Sequence, residues 1–384
     1  MVRLALVLAG ITCAAALNPS SIKNVVAFGD SLSDNGNLFK LYGIPPAPYW
    51  NGRFCNGPVW VEQLSEYLSN ATLYDFAYAG ATANVTDAVG VNITATILAT
   101  SVPDIAQQLA TFEKDPVASK LDHASTLYTV FAGGNDINYL ADQNKVPDVL
   151  SIAGSVVSMV ASLVASGAKN VLLVNMPPLQ SSPRLNRITS MTAQIKQIVD
   201  GYNQVLAAGV AALSTHFPEA NIVINDINGL LTYVATPEGA SVFNFANVGD
   251  VCLNSTAGTI CSDPNSYFFW DGIHPSTRGQ SYIAQYAYNQ LFKLPGYTFT
   301  TATTTTTTTT VTTSTSAATY IATKSSTSTS VSATSTSEVV STTNKNILTS
   351  STSTTQKNVY VSAAQQHGSI SAVALIAVVA SLFV

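Results

Sequence analysis

Asn24-Val-Val-Ala-Phe-Gly-Asp-Ser-Leu-Ser-Asp34 decides how this chain is read. Its first five residues are a short β-branched and apolar run. The run is continuous rather than alternating, which is the pattern of a strand buried on both faces. A glycine ends it, and Asp30-Ser31 follows at once. Outward from this point the pattern repeats. Residues 72–76, 127–131, 170–174 and 221–224 read as further buried strands, and 58–68, 149–166, 189–216 and 277–291 carry helical periodicity. Strands alternating with helices imply βαβ crossovers, so the expected fold is α/β, a three-layer α/β/α sandwich around a mostly parallel five-stranded sheet. Ligands of such folds gather beyond the carboxyl ends of the strands.

The 384 residues do not all serve that fold. Of the 50 residues 301–350, 32 are Ser or Thr, including eight consecutive threonines from Thr303, too polar and monotonous to bury a core. Residues 17–297 are the expected catalytic domain. They carry 12 Lys and Arg against 20 Asp and Glu, a balance that argues against a nucleic-acid partner. There is no His-Glu-x-x-His, no GxxxxGK[ST] loop and no GxGxxG turn, so neither a metal nor a nucleotide cofactor is expected.

Both ends read as targeting signals. Arg3, the apolar stretch Leu4 to Ala16 and the small residues Ala14-Ala15-Ala16 give residues 1–16 the form of a secretory signal peptide. Residues 298–361 read as an O-glycosylated stalk. Residues 362–384 place Ser362-Ala363-Ala364 and a polar spacer before an apolar tail, the order of a GPI-attachment signal, with a short hydrophobic tail anchor as the alternative. The expected location is therefore outside the cell, at its surface or wall, with membrane contact only through the anchor. Secretion makes Asn70, Asn84, Asn92 and Asn254 candidate N-glycan acceptors and Cys252–Cys261 an expected disulfide, with Cys55 left over as a buried free thiol. A monomer is expected.

Four short segments carry the chemistry. Phe28-Gly-Asp-Ser31-Leu-Ser-Asp34 follows the first strand, and Asp75-Phe-Ala-Tyr-Ala-Gly80-Ala-Thr82 the second. Gly133-Gly-Asn135-Asp136 follows the third, and Trp270-Asp271-Gly-Ile-His274-Pro275 precedes the final helix. A serine hydroxyl is a poor nucleophile until a base takes its proton. His123 and His216 stand isolated and His367 lies in the tail, whereas His274 has Asp271 three residues before it. That spacing can set the carboxylate against one imidazole nitrogen and leave the other for the serine.

In order and in strand context, the four segments resemble the GDSL, or SGNH, hydrolases over about 250 residues, and the stretch Tyr42 to Phe54 with the following Asn56-Gly-Pro-Val-Trp60-Val-Glu62 looks like the fungal members grouped with carbohydrate acetyl esterases. The resemblance implies a serine esterase with Ser31, Asp271 and His274 as the triad, and an oxyanion hole made by the N–H groups of Ser31 and Gly80 and the amide of Asn135. Asp30, Asp34 and Asp136 are expected to be acceptors that order loops. The family often has Asn where this chain has Asp75. There is no Gly-x-Ser-x-Gly elbow, which sets the usual α/β-hydrolases aside in favour of a flavodoxin-like sheet.

The substrate is less legible. Tyr49, Trp50 and Arg53 lie in a proline-rich stretch whose rings can stack on a sugar and whose guanidinium can reach an anionic or hydroxylated group. Glycans at Asn84 and Asn92 would keep the intervening loop off a lipid surface. A small ester or acetylated saccharide is therefore the expected substrate. The alternatives are a lipase, phospholipase or acyltransferase acting on lipid esters and, in another class, a catalytically silent wall protein.

Overall fold

The run that opens at Asn24 becomes the centre of a sheet. A computed structural model describes residues 17–83, 102–142, 146–187 and 189–294, all of which lie in one of the two compact units into which the chain divides. Five strands, β1 (Asn24–Gly29), β2 (Thr72–Asp75), β3 (Thr126–Phe131), β4 (Asn170–Val174) and β5 (Asn221–Asn225), form one sheet in the order β2-β1-β3-β4-β5. Every pairing in it is parallel, with Ala27 opposite Asp75 on one side and Thr129 on the other. The signal-like segment 1–16, the sequons at Asn84 and Asn92, the Ser/Thr tract and the apolar tail fall outside the described residues.

Alternation along each strand splits the core in two. Val26, Phe28, Tyr128, Val130, Val171 and Leu173 face the helices Ile105–Lys114, Val149–Ala165 and Thr192–His216. Val25, Ala27, Leu127, Phe131, Leu172 and Val174 face Trp60–Tyr67, Ile227–Val234 and Thr277–Phe292. Helices on both faces of a parallel sheet make the α/β/α sandwich, and they explain why its central strands contain so few polar residues. The smaller pieces after Ile227–Val234 went unread in the sequence. They are a parallel pair, Asn247–Val251 with Tyr267–Phe269, and a two-residue antiparallel pair, Leu253–Asn254 with Thr259–Ile260. Strands this short carry too few residues to show a period.

This strand order puts a topological switch point between β1 and β3, whose chains leave in opposite directions and open a crevice at their carboxyl ends. Gly29 ends β1 there, opposite Phe131. A Cβ on Gly29 would lie 2.3 Å from the Phe131 carbonyl oxygen, so only glycine lets the two backbones approach this closely. Gln108 clamps the same residue, accepting from its N–H and donating to its carbonyl, both at 2.9 Å. Ser31 emerges from this fixed corner.

Candidate active site

Three chain segments meet beyond the crevice. Ser31 sits on the turn after β1, Asn135 lies in the first turn of the helix Gly134–Asp142 after β3, and Asp271 and His274 lie between Tyr267–Phe269 and the last helix. Buried Ser276 fixes that last segment. Its hydroxyl donates to Tyr267 O at 2.8 Å and caps the helix by accepting from Gly279 N at 3.3 Å. Across 243 residues of sequence, His274 Nε2 lies 2.8 Å from Ser31 Oγ. His274 Nδ1 lies 2.8 Å from Asp271 Oδ2 and 2.9 Å from Oδ1. An N–H on Nδ1 facing the carboxylate leaves the Nε2 lone pair to accept from the serine hydroxyl.

Asp271 is held on every side. Oδ1 accepts from the N–H groups of Ile273 (2.9 Å) and His274 (2.8 Å), and Oδ2 accepts from the Tyr49 hydroxyl (2.8 Å). Burial opposes its charge, but His274 beside it and these N–H donors outweigh burial and hold the carboxyl at about 2. Asp30 behaves in the opposite way. Burial raises it to about 6, against the lowering effect of the Leu32 N–H that it accepts at 3.0 Å.

The other buried acids order loops. Asp34 accepts from the N–H groups of Gly36, Asn37, Leu38 and Ala79, tying the serine turn to the Gly80 loop. Asp136 accepts from Ala83 N at 2.9 Å and ties the far side of that loop to the Asn135 helix. Asp75 takes the N–H groups of Asn35 (2.7 Å) and Ala77 (2.9 Å). Burial raises it well above the usual carboxylate range, with the Asp34 charge adding to the effect. A protonated Asp75 is neutral, as an asparagine would be.

Gly80 has φ +89° and its carbonyl accepts from the Tyr139 hydroxyl at 3.1 Å. Among the described residues its N–H and that of Ser31 make no hydrogen bond. Asn135 Nδ2 donates one hydrogen to Ala81 O at 2.8 Å and has a second to give. Tyr139 escaped the sequence reading, although it stands one helical turn from Asn135 on the same face.

Of the three expected substrate contacts, Tyr49 and Arg53 have partners inside the domain and Trp50 is exposed. Arg53 grips Glu62 through Nε (3.2 Å) and Nη2 (2.5 Å), gives Nη1 to Asn51 O (2.7 Å), and stacks 5.0 Å from the Trp50 ring. Its fork is committed inside the domain. Tyr49 is bound to Asp271. None of the three is among the residues lining the cavity beside Ser31. That cavity, about 70 Å³, starts at Asp30, Ser31, Asn135 and Asn138 and runs between apolar walls that include Phe131, Met176, Leu179, Ile227, Leu231 and Val234. Buried Asn138 leaves its Oδ1 without a partner among the described residues. Of these walls only Phe131 falls in a segment read from the sequence, as part of a buried strand, and nothing in an apolar residue distinguishes a lining from a filling.

Cys252 and Cys261 are joined in a disulfide and Cys55 is a buried free thiol, pushed up by burial to about 12. Asn70 and Asn254 are exposed. Among the described residues no group of His, Cys, Asp and Glu is placed to hold a metal ion.

Residues 25–287 match the family model of the GDSL-like lipases/acylhydrolases. Relatives include the thermolabile hemolysin of Vibrio parahaemolyticus, 29% identical over 305 residues, covering 74% of this chain and 68% of that protein. An acetylesterase of Thermothelomyces thermophilus is 28% identical over 283 residues, covering 69% and 87%. A phosphatidylcholine-sterol acyltransferase of Aeromonas hydrophila is 32% identical over 210 residues, and there the match spans 52% of this chain and little over half, 56%, of that protein. Among solved structures, the acetylxylan esterase Axe2 of Geobacillus stearothermophilus aligns at 15% identity with a TM-score of 0.38, covering 70% of this chain and 94% of that one, a distance at which likeness says nothing of chemistry. A family match that begins in β1 and ends inside the last helix leaves only the edges of the domain outside it: the chain belongs to the GDSL-like lipase/acylhydrolase family and is a carboxylic ester hydrolase.

Proposed function

We propose that Ser31, His274 and Asp271 hydrolyse esters through an acyl-enzyme. The observation that carries this is the unbroken hydrogen-bonded line from Ser31 Oγ through His274 to Asp271. The Ser31 proton passes to His274 Nε2 as Oγ adds to the ester carbonyl. The same proton then leaves on the alcohol oxygen as the ester bond breaks, and water repeats the sequence on the acyl-enzyme. The N–H groups of Ser31 and Gly80 and the free hydrogen of Asn135 receive the oxyanion. One such donor typically contributes about 100- to 1,000-fold.

The acyl group enters the cavity beside Ser31. At about 70 Å³ the cavity is larger than the methyl of an acetyl group needs. Apolar walls and this volume favour an unbranched acyl chain of several carbons. A second reading, an acetyl ester such as an acetylated saccharide, is favoured by the relative named acetylesterase, which the match covers over 87% of its length. We place the enzyme outside the cell as a monomer on a stalk, supported by the disulfide, which suits an oxidising compartment.

Ser31→Ala and His274→Ala should each lower kcat by about 1,000-fold or more with the fold intact, since the triad acts as a unit. Near-normal turnover by Ser31→Ala would remove the mechanism. A series of p-nitrophenyl esters from two to twelve carbons decides the substrate: kcat/KM peaking at several carbons supports the cavity, and a maximum at acetate gives the second reading.

A further inference from the structure

The stretch read in the sequence as a sugar platform is built against the acid–base turn. Tyr49 donates its hydroxyl to Asp271 Oδ2 at 2.8 Å. Phe54 packs its ring 5.2 Å from the His274 ring at 39°. Cys55 Sγ meets Pro275 O at 3.4 Å, and Asn56 Oδ1 accepts from Thr277 N at 2.8 Å. The Tyr49 ring is itself held, 5.6 Å from Phe54 and 6.4 Å edge-on from Trp270. Four side chains of one segment thus touch the short run of residues that carries the acid and the base.

We infer that Tyr49 is a positioning residue of the reaction, whose hydroxyl fixes the Asp271 carboxylate in the plane that faces His274 Nδ1. The inference rests on the acyl-enzyme reading above. A carboxylate three residues from its histidine can still turn about its Cβ–Cγ bond. The backbone N–H groups of Ile273 and His274 hold Oδ1, and the Tyr49 hydroxyl holds Oδ2 from the other side. With both oxygens anchored, the carboxylate presents the same face when His274 is neutral and when it becomes imidazolium, and no reorganisation is needed as that charge forms. Burial and the Asp271 charge both push the Tyr49 phenol upward, so it remains a donor.

The test uses Tyr49→Phe in the full chain, which keeps the ring against Phe54 and Trp270. On an ester at saturation, kcat should fall about tenfold or more while KM stays within about twofold, and Tm should fall by several degrees at most, because one hydrogen bond to a buried carboxylate is lost. In an Asp271→Asn background the same substitution should cost less than about twofold, because Tyr49 works through that carboxylate. A loss seen in KM alone would make Tyr49 a substrate contact and overturn the inference. Unchanged kcat, or losses that multiply in the double variant, would also overturn it. Labelling by a fluorophosphonate reads the folded, competent fraction directly should yields of the variant be low. Labelling as fast in Tyr49→Phe as in the parent sinks the role of Tyr49. Labelling that survives Ser31→Ala sinks the acyl-enzyme reading instead.

Discussion

The two sides of Ser31 are built on opposite plans. Toward residues 49–62, the segment's own charged and hydroxyl groups are paired inside the domain, Tyr49 with Asp271, Arg53 with Glu62 and Asn56 with Thr277, though Trp270 Nε1 and Gln280 Nε2 beside them have no partner among the described residues. Toward Ile227–Val234, the walls are apolar and the buried amide of Asn138 has an acceptor to spare. A saturated side can hold atoms still but has little left to offer a ligand, and an unsaturated side is incomplete without one. The contrast assigns positioning to the first and reception of the substrate to the second.

Breaking the saturated side should cost stability before it costs binding. Arg53→Met leaves the Glu62 carboxylate uncompensated, with both side chains less than a fifth exposed. It should lower unfolding free energy by about 3 kcal/mol, somewhat discounted for that exposure, while KM for a small ester stays unchanged. A rise in KM with an unaltered unfolding curve would move Arg53 to the receiving side.

Asp30 lies at the seam, buried and lining the cavity floor. Its carboxyl is raised from the ordinary 3.8 to about 6, so the folded state binds the proton more tightly than the unfolded chain. Its contribution to stability is complete below about pH 4 and lost as pH rises through 6, by roughly 3 kcal/mol. Asp271 acts in a separate window and in the opposite sense, with a contribution complete above about pH 4 and lost as pH falls through about 2. Urea midpoints at pH 4.5 and 7.5 should show the decline, to which Asp75 and Asp34, also raised by burial, add in the same sense, and Asp30→Asn should make it shallower by the Asp30 share. An equal slope in the variant would contradict the Asp30 shift.

The smallest effect sharpens the receiving side. Leu231→Trp fills the cavity away from Ser31, and it should lower kcat/KM on an eight-carbon ester by about tenfold with little change on acetate. Equal losses on both esters would mean that the acyl chain lies elsewhere.

What the sequence revealed divides along the same line. The strands were legible to within a residue or so, because burial on both faces leaves an unbroken apolar run at each of 24–29, 126–131 and 170–174. That Ser31, His274 and Asp271 would meet was legible because such residue types at such spacing are rare and their strand context is specific. The partners that hold Tyr49 and Arg53 inside the domain could not be seen in the sequence. Asp271 is 222 residues from Tyr49, and Glu62 lies inside the next helix. The cavity was invisible for another reason. Phe131, Met176, Leu179 and Ile227 come from different parts of the chain, and hydrophobicity alone cannot show that a gap remains between them.

The acid and base stand three residues apart, but the nucleophile they serve stands 243 residues before the base. During translation the serine therefore leaves the ribosome on the first strand with nothing to activate it. The turn that will do so is made only when the domain is nearly complete. On the proposed mechanism the serine stays unactivated until residues 271–274 have been made and have met it. On that mechanism a message cut short before His274 should yield a product without hydrolase activity, whatever part of the sheet it folds.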